Sequence, residues 1–263
     1  MQDTSLLYRQ ILADPDHYFE VAVAIGEPGD LVTERGETIL FGGTAILIAR
    51  SGPDAGYQGS QIFSLKTSSQ MFGNDPEIGK AIAQEIELQM LQPAADVPPM
   101  AQIVPFVRVC TETQQSEWLQ QGVFYIDTRE TTASYDGLQV LTIHGFDAML
   151  KTEQEYSGTS INWPATDIAI VREIASKIGV TVDPRTVALM TGGYRYPLPT
   201  GYTLREMLCY IATAYVGSFI ITETGQLRLV SLLELPEETS LLVDSVGDYI
   251  TFGGDRIKVG SYG

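Results

Sequence analysis

The chain has 263 residues, with 16 Lys and Arg against 33 Asp and Glu, a formal net charge of −17. Phosphate backbones repel so acidic a chain, which excludes a role resting on nucleic-acid groove or backbone contacts. With 44% hydrophobic and 19% charged residues it reads as a folded chain, and Cys110 and Cys209 supply neither a disulfide framework nor a four-thiolate metal site.

Both cysteines lie in apolar runs and are expected to be buried, inert thiols. Met1, Gln2, Asp3 and Thr4 form no basic, apolar leader, and the longest uncharged stretch, residues 207–222, is shorter than the roughly 20 apolar residues of a membrane span. The expectation is a soluble protein folded in a cytoplasm.

In chain order, Leu6, Leu7 and Ile11 mark a short amphipathic helix ended by the turn Asp14-Pro15-Asp16. Residues 18–25 then alternate Phe19, Val21, Val23 and Ile25 with Tyr18, Glu20, Ala22 and Ala24, which predicts a strand. Residues 38–50 read as strand bent at Gly42-Gly43, and 61–66 as a further short strand. Residues 78–91 fit helical spacing in part. The strand reading is preferred because Ile82, Ile86, Leu88 and Met90 oppose Glu85, Glu87 and Gln89 up to Gln92-Pro93. In the strand predicted at 102–110, Pro105 points to an edge or a bulge. Residues 123–130 and 138–145 form a predicted hairpin around Asp136-Gly137. An antiparallel barrel or sandwich accounts for this region most simply.

Beyond Phe146 the pattern becomes helical. Pro164 precedes a helix with Ile168, Val171, Ala175 and Ile178 on one face and Gly179 at its end. Thr203-Leu204-Arg205-Glu206 is a capping box, opening a second helix that buries Leu204, Leu208, Ile211, Ala212 and Tyr215. A hairpin follows, residues 218–222 and 226–232, turning at Thr224-Gly225. Short strand-like pieces then return at 240–243, 249–252 and 256–259. The fold class is therefore α+β and β-rich, divided as a β-barrel domain over 1–150, an α+β domain with two helices and a hairpin over 151–232, and returning strands over 233–263.

No catalytic, cofactor-binding or metal-binding constellation emerges. His17 and His144 are isolated, and phosphate-loop, nucleophile-elbow, zinc-protease and dinucleotide-binding motifs are missing. Glu85 or Glu87 with Asp127 would be a carboxylate pair of glycosidase type, and Tyr125, Tyr156, Trp163, Tyr194, Tyr196 and Tyr202 would be a carbohydrate platform. That is the alternative: a small carbohydrate-active hydrolase or a glycan-binding module. Asp147 is expected to cap a turn starting at Ala148.

An ordered series of segments carries a resemblance. It runs Phe72-Gly73-Asn74-Asp75-Pro76-Glu77-Ile78-Gly79, Met100-Ala101-Gln102-Ile103-Val104-Pro105-Phe106-Val107-Arg108, Gly122-Val123-Phe124-Tyr125-Ile126, Gly145-Phe146-Asp147-Ala148-Met149-Leu150, Trp163-Pro164-Ala165-Thr166, Tyr202-Thr203-Leu204-Arg205-Glu206 with Ile211-Ala212, and the hairpin from Gly217 to Leu229. In order and spacing, over more than half the chain, this resembles the N-terminal region of the tail-hub proteins of long-tailed phages and prophages, also called tail-associated, minor structural or baseplate-hub-like proteins. The resemblance implies tail-tube-like β-barrels with smaller inserted units, and a homotrimeric ring adapting a sixfold tail tube to a threefold tip. It implies no enzyme activity and no cofactor.

The implied partners are distal tail and tail-tube proteins and tip or tape-measure proteins. Genomic DNA passes through without specific binding, and no membrane span is implied. The implied location is the virion tail tip, after synthesis in the bacterial host cytoplasm. A lumen that repels phosphate fits the −17 charge, with Glu85 and Glu87 as candidate lumen-facing carboxylates. Family members continue beyond the length seen here, so the expectation is a short member or a piece of a longer protein.

Overall fold

A computed structural model describes residues 4–26, 56–69, 78–93, 97, 100–133, 137–191 and 193–232. It adds the backbone of two-residue ladders at 29–30 with 47–48, 40–41 with 44–45, 240–241 with 258–259 and 251–252 with 255–256. The expected bend at Gly42-Gly43 lies outside the described residues.

The alternating segments form strands β1 (Tyr18–Gly26), β2 (Tyr57–Gln58), β3 (Ile62–Ser69), β4 (Lys80–Ala81), β5 (Gln84–Leu91), β6 (Gln102–Cys110), β7 (Leu119–Gln120), β8 (Phe124–Ala133) and β9 (Gln139–Asp147). All except β4 join one antiparallel sheet in the order β2-β1-β6-β8-β9-β5-β3, with β7 also paired to β6. The ends of that path, β2 and β3, are consecutive in the chain, separated only by the 3-10 turn Gly59–Gln61. Such a link reaches about 14 Å at most. A flat path of these strands would separate its ends by roughly 29 Å. The sheet is therefore rolled. Its interior agrees: Tyr57 of β2 and Ile62 and Leu65 of β3 pack on one core with Val23, Ile86, Leu88, Met90, Ile103, Phe124, Ile126, Leu141 and Ile143.

Two expectations need correction. The strand foreseen over 78–91 is broken, because Lys80–Ala81 leaves to pair in parallel with Ser218 and Phe219. The Gly79 N–H donates to the Gly217 carbonyl at 2.7 Å and the Ile82 N–H to the Phe219 carbonyl at 2.8 Å, so the distant strand takes what the local pattern assigns to β5. Pro105 is not on an edge strand, since β6 lies inside the sheet and Pro105 registers with Val23. On its other side β6 pairs with β8 only at Gln102 and Ile103, and with β7 only at Phe106 and Val107. The Pro105 carbonyl faces that gap, accepting the Gln121 N–H at 2.8 Å. In an antiparallel strand a residue's nitrogen points the same way, so the missing N–H falls where no ladder bond is needed.

The second unit holds β10 (Ala165–Thr166), α2 (Asp167–Ile178), α3 (Pro184–Leu189), β11 (Arg195–Tyr196), α4 (Leu204–Ala214), β12 (Gly217–Ile221) and β13 (Leu227–Ser231). Thr203 caps α4 through its accepted Glu206 N–H, and Glu206 returns the bond to the Thr203 N–H. Gly179, at φ 77°, closes α2 in the left-handed region, where a side chain would be strained. Ile170, Val171, Ile174, Leu208, Ile211, Phe219 and Leu229 make its core, which also takes Ala81, Ala148 and Met149 from the preceding region. Leu208 is fully buried as expected, whereas Ile168 is half-buried at the margin. The six-residue α3 is additional to the two helices expected.

The first helix, α1 (Leu6–Leu12), buries only Ile11, leaving Leu6 72% exposed. Its docking is polar, with the Ser5 N–H and hydroxyl donating to the Glu117 carboxylate at 2.7 and 2.6 Å.

Candidate functional site

Strand pleating sets the outer face of β3, β5 and β9. With Ile86, Leu88 and Met90 turned into the roll, Glu85 and Glu87 stand on the opposite face, Glu85 exposed and Glu87 half-buried. Register places Glu87 between Lys66 of β3 and His144 of β9, and Glu85 between Ser68 and Phe146. These side chains border a recess of about 80 Å³. The two carboxylates thus share one face, as alternation predicts, with a cation and an imidazole beside them that no local pattern reveals.

The hairpin of β8 and β9 behaves differently along its length. β8 pairs with β6 only through Phe124 and Tyr125. A register shift between Ile126 and Thr128 then marks a bulge at Asp127. From Asp127 to Ala133 every residue is exposed, and β9 is the only strand paired with this stretch among the described residues. A projecting strand laddered on one side is a template for pairing with another chain.

At the junction of the two units, Asp147 ends β9. Its carboxylate accepts the Met149 N–H at 2.9 Å, capping the 3-10 turn Ala148–Glu153 as expected, and also the Gln84 N–H at 2.9 Å. Burial pushes this carboxyl up to about 6, against the opposing pull of those two N–H bonds and the Arg205 charge. Arg205 donates to the Met149 carbonyl at 3.1 Å and pairs with Glu153 at 2.8 Å. Nearby, Glu173 accepts from the Tyr156 and Thr159 hydroxyls and, at 2.5 Å, from the Ser160 N–H. Burial raises its carboxyl, but those bonds outweigh burial and hold it below the usual range. With its oxygens so engaged, Glu173 serves to hold the 156–160 loop onto α2.

Of the aromatic residues considered for a platform, Tyr156 pairs edge-to-face with Trp163, Tyr202 with Tyr210, and Tyr194 with Tyr215, the last two having Tyr196 within electrostatic reach. Tyr125 instead carries Lys151 over its ring at 3.6 Å. Asp127 lies on β8, separated from Glu85 and Glu87 by the whole of β9. Cys110 is buried and Cys209 half-buried, both thiols free and raised by burial. Among the described residues no group of three or more His, Cys, Asp or Glu is placed to hold a metal ion, and no helix is long and apolar enough to cross a membrane.

No family model matches the chain, and no curated protein matches it in sequence. Solved structures do show similarity. The 43 kDa tail protein of prophage MuSo2 from Shewanella oneidensis is 15% identical with a TM-score of 0.46, over 81% of this chain and 56% of that one. A tail protein from Neisseria meningitidis MC58 is 12% identical, with a TM-score of 0.43 over 80% of this chain and 51% of that one. The half-lidded PdpA–VgrG complex of Francisella is 8% identical, with a TM-score of 0.43 over 81% of this chain and 31% of the matched chain. The chain spans about half the length of the two tail proteins it matches.

Proposed function

We propose that this chain is a structural, non-catalytic phage tail protein, acting as a tail-tip or baseplate hub that assembles into a ring and continues the DNA channel. The observation that carries the reading is the rolled sheet with its projecting β8 strand, laddered by β9 and offering its other edge to a neighbour. Head-to-tail pairing through such an edge generates rings when the rotation closes. The ordered sequence resemblance supplies the family, the adaptation between sixfold tube and threefold tip, and the homotrimer. The net charge of −17 supplies a wall from which DNA is repelled, with Glu85 and Glu87 as its proposed lumen carboxylates. Partners above and below are tail-tube, distal tail, tip and tape-measure proteins, and the location is the virion tail tip.

Light scattering behind size exclusion, over a wide concentration range, tests self-assembly. The expected mass is that of a trimer. A strict monomer at every soluble concentration overturns a ring formed by this chain alone.

A further inference from the structure

The roll has a seam. Continuing the ladder of Ala22 with Gln58 and Val23 with Tyr57 would set Gly59 opposite Val21 and Ser60 opposite Glu20. Instead the chain turns away at Gly59, whose φ of 55° is a left-handed conformation suited to glycine. Along Tyr18–Val21, β1 is therefore laddered only by β6 among the described residues. On the facing side, β3 is laddered only by β5. Between these edges lies a groove of about 620 Å³, bordered by Phe19, Val21, Phe63, Leu65, Arg108 and Trp118.

Three features define what the groove accepts. First, Phe19 shares the inward register of Val21 and Val23, yet it is 51% exposed while Val23 is fully buried. The core is uncovered where β2 leaves, and Phe63, also 51% exposed, stands on the far bank. Second, the two facing edges offer backbone groups to an extended chain, which a sugar or a helix does not match. Third, among the described residues the only charges bordering the groove neutralise each other: Arg108 donates to the Glu20 carboxylate through Nε at 2.7 Å and lies 4.3 Å over the Trp118 ring. In a chain of net charge −17, the described lining of this groove is neutral.

We propose that the seam accepts an extended, uncharged peptide segment of a partner protein, apolar at alternate positions, which adds as a strand between β1 and β3. Its inward side chains cover Phe19, Val21 and Leu65. Its outward ones meet Ser64 and the Glu20–Arg108 pair. About four residues suffice to span Tyr18–Val21, roughly 13 Å of strand. The inference is independent of the hub reading.

Hydrogen exchange on the full chain tests it, with an acetylated, amidated peptide of alternating valine and glutamine as probe. The expected result is saturable slowing of amide exchange, tenfold or more, within 18–21 and 63–65. Phe63→Asp, at an exposed position, abolishes the slowing. So does N-methylation of the probe's valines, which leaves its apolar surface but removes ladder donors. Lack of slowing, equal slowing by the N-methylated probe or by a peptide with its valines grouped together, or slowing by chitotriose in place of the peptide, each overturns the proposal.

Discussion

The carboxylate of Asp147 accepts the backbone N–H of Gln84 at 2.9 Å across 63 residues of chain, pinning the start of β5 to the end of β9. One oxygen holds Gln84 and the other caps Met149, so a single 1% exposed side chain serves two strands and a turn at the junction of the two cores.

Replacing Asp147 by Ala removes both acceptors at once. A lost cap and a stranded buried N–H together cost on the order of 2–3 kcal/mol, measured as a fall in the free energy of urea unfolding at neutral pH.

The same carboxyl makes stability depend on pH. Its folded value of about 6 lies above the ordinary 3.8, so the part of its contribution that comes with the proton is complete below about pH 4 and is lost as pH rises through about 6, the two accepted N–H bonds remaining. Asp147→Asn does not titrate. The stability of the wild type relative to this variant should therefore decrease between pH 4.5 and 7.5, by on the order of 2 kcal/mol. A difference flat or rising over that interval contradicts the assignment.

Gly145 sits between Ile126 and Ile86 in the sheet. A Cβ there would lie 2.5 Å from the Tyr125 carbonyl oxygen and 3.2 Å from Ile86 Cγ2. Gly145→Ala should lower stability by about 2 kcal/mol through overpacking, seen as a lower melting temperature with the β-sheet circular dichroism retained.

Leucines of equal hydrophobicity should respond unequally. Leu208→Ala empties a fully buried site on α4 and should cost about 3 kcal/mol. Leu6→Ala, at a position 72% exposed, should change the unfolding free energy by less than about 0.5 kcal/mol.

If the outer face of β5 lines a DNA passage, Glu85→Lys with Glu87→Lys should lower genome delivery by assembled particles, most strongly at low salt, where screening is weakest. Particle yield should be unchanged. Delivery equal to wild type at all salt concentrations removes these two residues from the lumen.

Several features were legible in the sequence because the interactions behind them are short in range. The Thr203–Glu206 capping box spans one helical turn, the cap that Asp147 places on the following turn reaches only to Met149, and the left-handed closure of α2 needs only Gly179. Alternation along Phe19, Val21 and Val23, or Ile86, Leu88 and Met90, follows from the pleat of each strand. These local rules suffice for a β-rich α+β chain and for placing Glu85 and Glu87 on one face.

Only the tertiary structure decided which strands meet. Lys80–Ala81 leaves its run for Phe219, and Lys66 and His144 arrive beside Glu87 from strands on either side. Pro105 finds its gap where β6 is exchanged between β8 and β7, and Leu6, apolar by sequence, finds no core to enter. The seam at Phe19 exists only because β2 ends at Gln58 while β1 runs on. Pairing across tens of residues is selected by burial and backbone hydrogen bonds summed over the whole roll, which no window of sequence contains.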